Sequence, residues 1–180
     1  MARSLLALLL LGASTPPQAA FRRPDAANHP DLFVWTDTCN VYVLRDGDAA
    51  VLIDLGDGSV LDRLGEIGVK KVEWVLFTQH HRENTQGASR LKDVQVGAPE
   101  AERELFENPA KFRRMSVKLG DPFTIHGTSY VRPPIRPIKG DRAFKRMDVF
   151  AWRGREFWCV DTRGDSPGAM SYLLKEKGRW

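Results

Sequence analysis

The chain has 180 residues, a formal net charge of +4, 42% hydrophobic and 28% charged residues; by length it is about one domain, long enough to bury a core. The positive excess is mild, and the basic residues cluster at Lys111, Arg113 and Arg114 and again at Arg132, Arg136, Lys139, Arg142, Lys145 and Arg146, with no aromatic interleaving that suggests a base-stacking platform. They read as a solvated face that could attract an anionic substrate, and no nucleic-acid partner is expected. There are no internal repeats.

The first twenty residues stand apart. A basic start, Met1-Ala2-Arg3, precedes a continuous apolar run over 5–13, and Pro16-Pro17-Gln18-Ala19-Ala20 supplies small residues for cleavage. Residues 1–20 read as a signal peptide, placing the mature chain in a secreted or periplasmic setting. The cleavage site is imperfect, so an uncleaved membrane anchor stays open as the alternative. No other stretch could span a bilayer. Cleavage removes one positive charge and no negative one, lowering the net charge from +4 to +3. In that setting Cys39 and Cys159 could form one disulfide, but each lies in an apolar run, so two buried thiols remain equally open.

Residues 21–31 form a leader, and ordered structure is expected from Leu32 onward. Runs 41–44 and 49–53 flank Arg45-Asp46-Gly47-Asp48 and predict a hairpin. A helix is predicted after Asp54-Leu55-Gly56, with Ser59 as N-cap, Val60, Leu61, Leu64 and Ile67 as its apolar face, and Gly68 as its stop. A buried strand over 72–77 follows, then a polar loop, a short helix near 85–91, a strand at 94–96 and a helix from Pro99 to about Phe106. From Asn108 to Lys139 the pattern dissolves into Pro, Gly and basic residues, with no element assigned. Runs 148–152 and 156–160 predict a second hairpin, which leads through a glycine-rich loop over 161–168 into a strand at 170–174.

The polar loop carries the chemistry. Thr78-Gln79-His80-His81-Arg82-Glu83-Asn84-Thr85-Gln86-Gly87 sets two histidines, a carboxylate and several amides directly behind an apolar strand, where open α/β sheets place their ligands. It is built to hold a cation.

Three segments in order resemble the metallo-β-lactamase-fold hydrolase superfamily. Val51-Leu52-Ile53-Asp54-Leu55-Gly56 looks like its strand and Ile-Asp-x-Gly turn. Residues 74–87 look like its strand ending in Thr-His-x-His-x-Asp-His-x-x-Gly. Residues 161–172 are similar to its Thr-Pro-Gly-His-Thr-x-Gly-Ser loop and following strand. The resemblance runs from about Leu32 to Trp180 and implies an α/β fold, the αββα sandwich, here as its N-terminal half and the start of the second.

The resemblance also implies ligand positions. Gln79, His81 and Asp165 stand where the family holds one metal, and Glu83 and Asn84 where it helps hold a second. Zinc favours imidazole and thiolate and accepts carboxylate, so the two amides are poor replacements; weaker zinc binding, or another divalent metal, is expected. His80 is expected to be structural, and Asp54 to brace the loop rather than ligate. His29 and His126 read as incidental. The family mechanism implies a metal-bound hydroxide attacking an ester, amide, thioester or phosphoester of a small-molecule substrate, with Glu83 as the catalytic residue that orients or deprotonates the water. The family's bridging Asp and last histidine come after a turn like Lys177-Gly178-Arg179-Trp180, so residues 32–180 read as an incomplete domain. Two readings follow: an exported metal-dependent hydrolase in its complete form, or a non-catalytic relative whose altered site serves binding or scaffolding.

Overall fold

Parallel strands have to be joined by crossovers, and the central part of this chain alternates short β-branched runs with helical turns. A computed structural model describes residues 20–112, 133–176 and 178. The strands are β1 (Leu32–Thr36), β2 (Asn40–Asp46), β3 (Ala49–Ile53), β4 (Lys71–Leu76), β5 (Gln95–Pro99), β6 (Arg142–Phe144), β7 (Val149–Trp152), β8 (Arg155–Asp161) and β9 (Met170–Lys175), with short helices α1 (Arg82–Thr85) and α2 (Arg103–Glu107). The signal-peptide reading of 1–20 falls, but for residue 20, outside the described residues, as do His126 and most of the 177–180 turn.

β1 to β6 form one sheet in sequence order, antiparallel from β1 to β3 and parallel from β3 to β6. β7, β8 and β9 form a second, antiparallel sheet. Both predicted hairpins form. Gly47 turns the first at φ 61°, and Arg153 and Gly154 turn the second at 47° and 78°, the positive pair that suits a two-residue turn between twisted strands.

The two faces of the six-stranded sheet carry separate cores. On one face Val41, Val43, Leu52, Val75 and Phe77 pack with Val60, Leu64 and Phe106 from the helical turns. On the other, Leu44, Val51, Leu76 and Phe144 meet Phe150, Phe157, Cys159 and Met170 of the second sheet. The described residues therefore stack as helical turns, sheet and sheet, the αββα order up to its second sheet. Glu73 clamps the sheets together from β4, accepting from Trp152 Nε1 at 2.9 Å and from Arg153. Those donors hold its carboxyl down at about 2.

Several local expectations need correction. The helix predicted from Ser59 is two 3-10 turns, Ser59–Asp62 and Leu64–Ile67, and Ser59 caps neither. Its hydroxyl accepts from Trp35 Nε1 at 3.0 Å and donates to Asp37 at 3.2 Å, so a tertiary contact takes the group a capping box would use. Gly68 does end the segment, at φ 77°. Pro99 closes β5 instead of opening a helix, and a 3-10 turn, Glu100–Glu102, precedes α2. The helix near 85–91 is α1 followed by a 3-10 turn, Gln86–Arg90. β1 and β6 are strands for which the sequence pattern predicts none. The leader residue Phe21 stacks on Phe33 and Trp35, and Arg22 bridges Val34. Cys39 and Cys159 are both free thiols, and burial pushes each up to about 12. Among the described residues no helix is long and apolar enough to cross a membrane.

Candidate functional site

The polar loop leaves the C-terminal end of β4, between the ends of β3 and β5, and two buried carboxylates fasten it from either side. Asp54 directly follows β3, at φ 60°, an uncommon conformation for a residue with a side chain. Its amide donates to Leu76 O at 2.9 Å, and the next amide, Leu55, donates to Asn84 O at 2.9 Å. The turn thus aims the Asp54 carboxylate at the loop, where it accepts from Thr78 N at 2.9 Å, Thr78 Oγ1 at 2.7 Å and Asn84 Nδ2 at 2.9 Å. Burial is the strongest influence on its pKa and raises it to about 6 against those three bonds.

Glu102 fastens the other side and is fully buried. One oxygen accepts from His80 N at 2.6 Å and meets His80 Nδ1 at 2.8 Å. The other accepts from Ser166 Oγ and from Gly168 N at 3.0 Å. Burial alone would raise this carboxyl, but donors from His80, Ser166 and Gly168 outweigh it and hold it below its usual value. One side chain therefore ties the 78–81 loop to the 166–168 loop. Met170 N donates to Thr78 O at 2.9 Å and Tyr172 Oη to Phe77 O at 2.8 Å, adding two links between the sheets at the same level.

The ligand positions divide on this frame. His81, buried, has Nδ1 3.3 Å from Asp165 Oδ2. Two donors about 2.1 Å from one zinc at a tetrahedral angle lie about 3.4 Å apart, so that pair has the spacing of a shared ion. Gln79 donates through Nε2 to Asn84 Oδ1 at 3.4 Å, a long contact, while its Oε1 and His81 Nε2 are buried without hydrogen-bond partners. Asn84 donates through Nδ2 to Asp54 at 2.9 Å, and its Oδ1, the atom that could ligate, faces Gln79 Nε2. Glu83 sits on α1, and its carbonyl accepts from Thr38 Oγ1 at 2.7 Å. The structure thus pairs His81 with Asp165 and Gln79 with Asn84.

A catalytic zinc takes three protein donors and keeps one position for water. Among the described residues no group of three or more His, Cys, Asp or Glu side chains is placed to hold a metal ion. The third donor beside His81 and Asp165 would be a neutral amide, and Asp165 is 71% exposed. This donor set does not fit the group that the resemblance implies. His80 takes a structural place, its ring on Glu102. Glu102 itself was missed, since a Glu three residues after Pro99 reads as the exposed first turn of a helix. The one clue was its position beyond the strand next to the His80-His81 pair.

No protein-family model matches this sequence, and no curated protein matches it. Solved structures do. The metallo-β-lactamase GOB-18 from Elizabethkingia meningoseptica superposes with a TM-score of 0.63 at 15% identity, covering 83% of this chain and 55% of that one. BJP-1, a subclass B3 metallo-β-lactamase of Bradyrhizobium japonicum, gives 0.61 at 23% identity, covering 82% and 56%. The class B3 di-zinc enzyme LRA-12 from an Alaskan soil metagenome gives 0.59 at 16%, covering 83% and 56%. The chain therefore has the metallo-β-lactamase fold, and it spans a little over half the length of these structures.

Proposed function

We propose that this chain is a non-hydrolytic, small-molecule-binding form of the metallo-β-lactamase fold, in which the loop that carries metal in that fold is a fastened edge. The observation that carries this reading is the chemistry of the ligand positions. Beside His81 and the exposed Asp165 stand two neutral amides, Gln79 and Asn84, whose side chains meet each other at 3.4 Å. Zinc gains little from a neutral amide. The experiment is calorimetric titration of the full chain with zinc and with manganese, together with turnover of ester, lactam and phosphodiester substrates. Weak binding without turnover is expected. Tight stoichiometric binding that disappears in both His81→Ala and Asp165→Ala, or turnover that follows it, would overturn the reading.

The second reading, a metal-dependent hydrolase of an ester, amide, thioester or phosphoester, is favoured by the 3.3 Å between His81 Nδ1 and Asp165 Oδ2 and by the unpartnered, buried Gln79 Oε1. The same titration decides between the two. Export belongs to the proposal as well, on the strength of residues 1–20 alone. It is tested by N-terminal sequencing of protein recovered outside the cytoplasm, where a mature chain starting near residue 21 is expected.

A further inference from the structure

The opposite end of the parallel strands carries a second concavity. It opens beside the start of β4, between the two 3-10 turns of 59–67 and the segment entering β5, with a volume of about 370 Å³, in the range of small-molecule sites. Counting about 3.3 Å per strand residue, it lies on the order of 20 Å from the polar loop. Leu61, Leu64, Val72, Leu91 and Val94 form its apolar wall; all but Leu64 are only partly buried against the core, which leaves apolar surface facing the opening.

Four cations and one acid, Asp93, share the lining. Arg90 is committed, donating to Gly58 O at 2.7 Å and Asp62 Oδ1 at 2.6 Å. Lys70 and Lys71, both exposed, reach Asp48 and Glu73 only at 3.9 and 3.7 Å, and long contacts by exposed lysines hold those side chains weakly. Lys92 makes no salt bridge among the described residues. Apolar walls under a rim with one uncommitted cation and two loosely held ones suit a molecule with an apolar body and a single negative charge. We propose that this pocket binds an aliphatic carboxylate, its tail on Leu61, Val72 and Leu91 and its head at Lys92, assisted by Lys70. The site is independent of the polar loop and of whether that loop holds a metal.

Gly65 provides the sharpest test. It lines the pocket, and a Cβ added there meets no atom within 4 Å, so Gly65→Leu adds apolar bulk at the lining from a position where the first side-chain carbon meets no neighbour. Decanoate, kept below its micelle concentration, is titrated into the full chain at low salt by calorimetry. One-to-one binding is expected, about tenfold weaker in Lys92→Glu and lost in Gly65→Leu, with decanol binding at least tenfold more weakly than decanoate. Circular dichroism and the thermal transition of each variant separate a filled pocket from a misfolded chain. Absence of decanoate binding, unchanged binding in both variants, or equal binding of decanol would each overturn the proposal.

Discussion

The floor and the rim of the polar loop differ sharply. On the floor, Asp54 and Glu102 are buried carboxylates, with three and four protein contacts respectively. On the rim, Asp165 is a carboxylate 71% exposed whose one ion pair among the described residues is with His81, at 3.3 Å. The difference teaches that the loop's shape is fixed from beneath by the protein and does not depend on what its outer side chains can bind. The conformation of the loop is therefore set by Asp54 and Glu102, whatever donors its outer side chains offer.

Removing a floor carboxylate should have the largest effect. Glu102→Ala strands the His80 amide, the Ser166 hydroxyl and the Gly168 amide in a buried space, and breaking such a network costs about 3–5 kcal/mol. Urea denaturation should show that loss, with Glu102→Gln losing less because its carbonyl still accepts. A cost below about 1 kcal/mol for Glu102→Ala would mean that the loop is held elsewhere.

Asp54 sharpens the comparison through pH. Its folded pKa, raised by burial from the ordinary carboxylate range to about 6, means that the folded state binds a proton more tightly than the unfolded chain. The stabilisation this provides is fully present below the unfolded value and is lost as pH rises from about 4 through about 6. By linkage it amounts to about 3 kcal/mol. Glu102, held below its usual value, acts in the opposite sense, its contribution being lost as pH falls through its folded pKa. The Asp54 effect is thus clearest between about pH 4.5 and 6.5. Carbon-13 titration of the Asp54 carboxyl should give a midpoint near 6; a midpoint near 4 would show the floor to be wetter than its burial indicates.

Restoring donors tests the rim. If the floor presets the loop, Gln79→His combined with Asp165→His sets two imidazoles beside His81 and should raise zinc affinity about a hundredfold, since zinc prefers imidazole to a neutral amide. Competition against a chelator measures this directly. No gain would show that the ligand positions are not held in register.

Much of this frame could be read from the residues, and the unread parts share a cause. β3, β4 and both hairpins were legible because apolar runs and turn residues are local signals. β6 was not, since three residues with one buried apolar side chain, Phe144, make no pattern. The 59–67 segment has helical spacing but forms 3-10 turns, because the Ser59 hydroxyl is used by Trp35 and Asp37, more than twenty residues away. Asp54 was read as a brace from its turn, and its partners bear that out. Glu102 escaped because its partners lie 22 and 64 residues along the chain. The motif gives Asn84 a ligand position, and nothing local shows that its Nδ2 also braces Asp54, thirty residues back.

The smallest expected effect belongs to the rim. Asp165→Ala removes an exposed carboxylate whose one ion pair is with His81, and surface substitutions of this kind change stability by about 0.5 kcal/mol or less. Ser166, its neighbour, still reaches Glu102, so the 161–168 loop keeps its anchor one residue away. Equilibrium unfolding of Asp165→Ala beside Ser166→Ala should therefore give a near-zero change for the first and a loss of about 1–3 kcal/mol for the second, which leaves Glu102 short of a donor. If Asp165→Ala proves the costlier of the two, the loop is fastened through the exposed His81 contact, and the contrast between floor and rim is reversed.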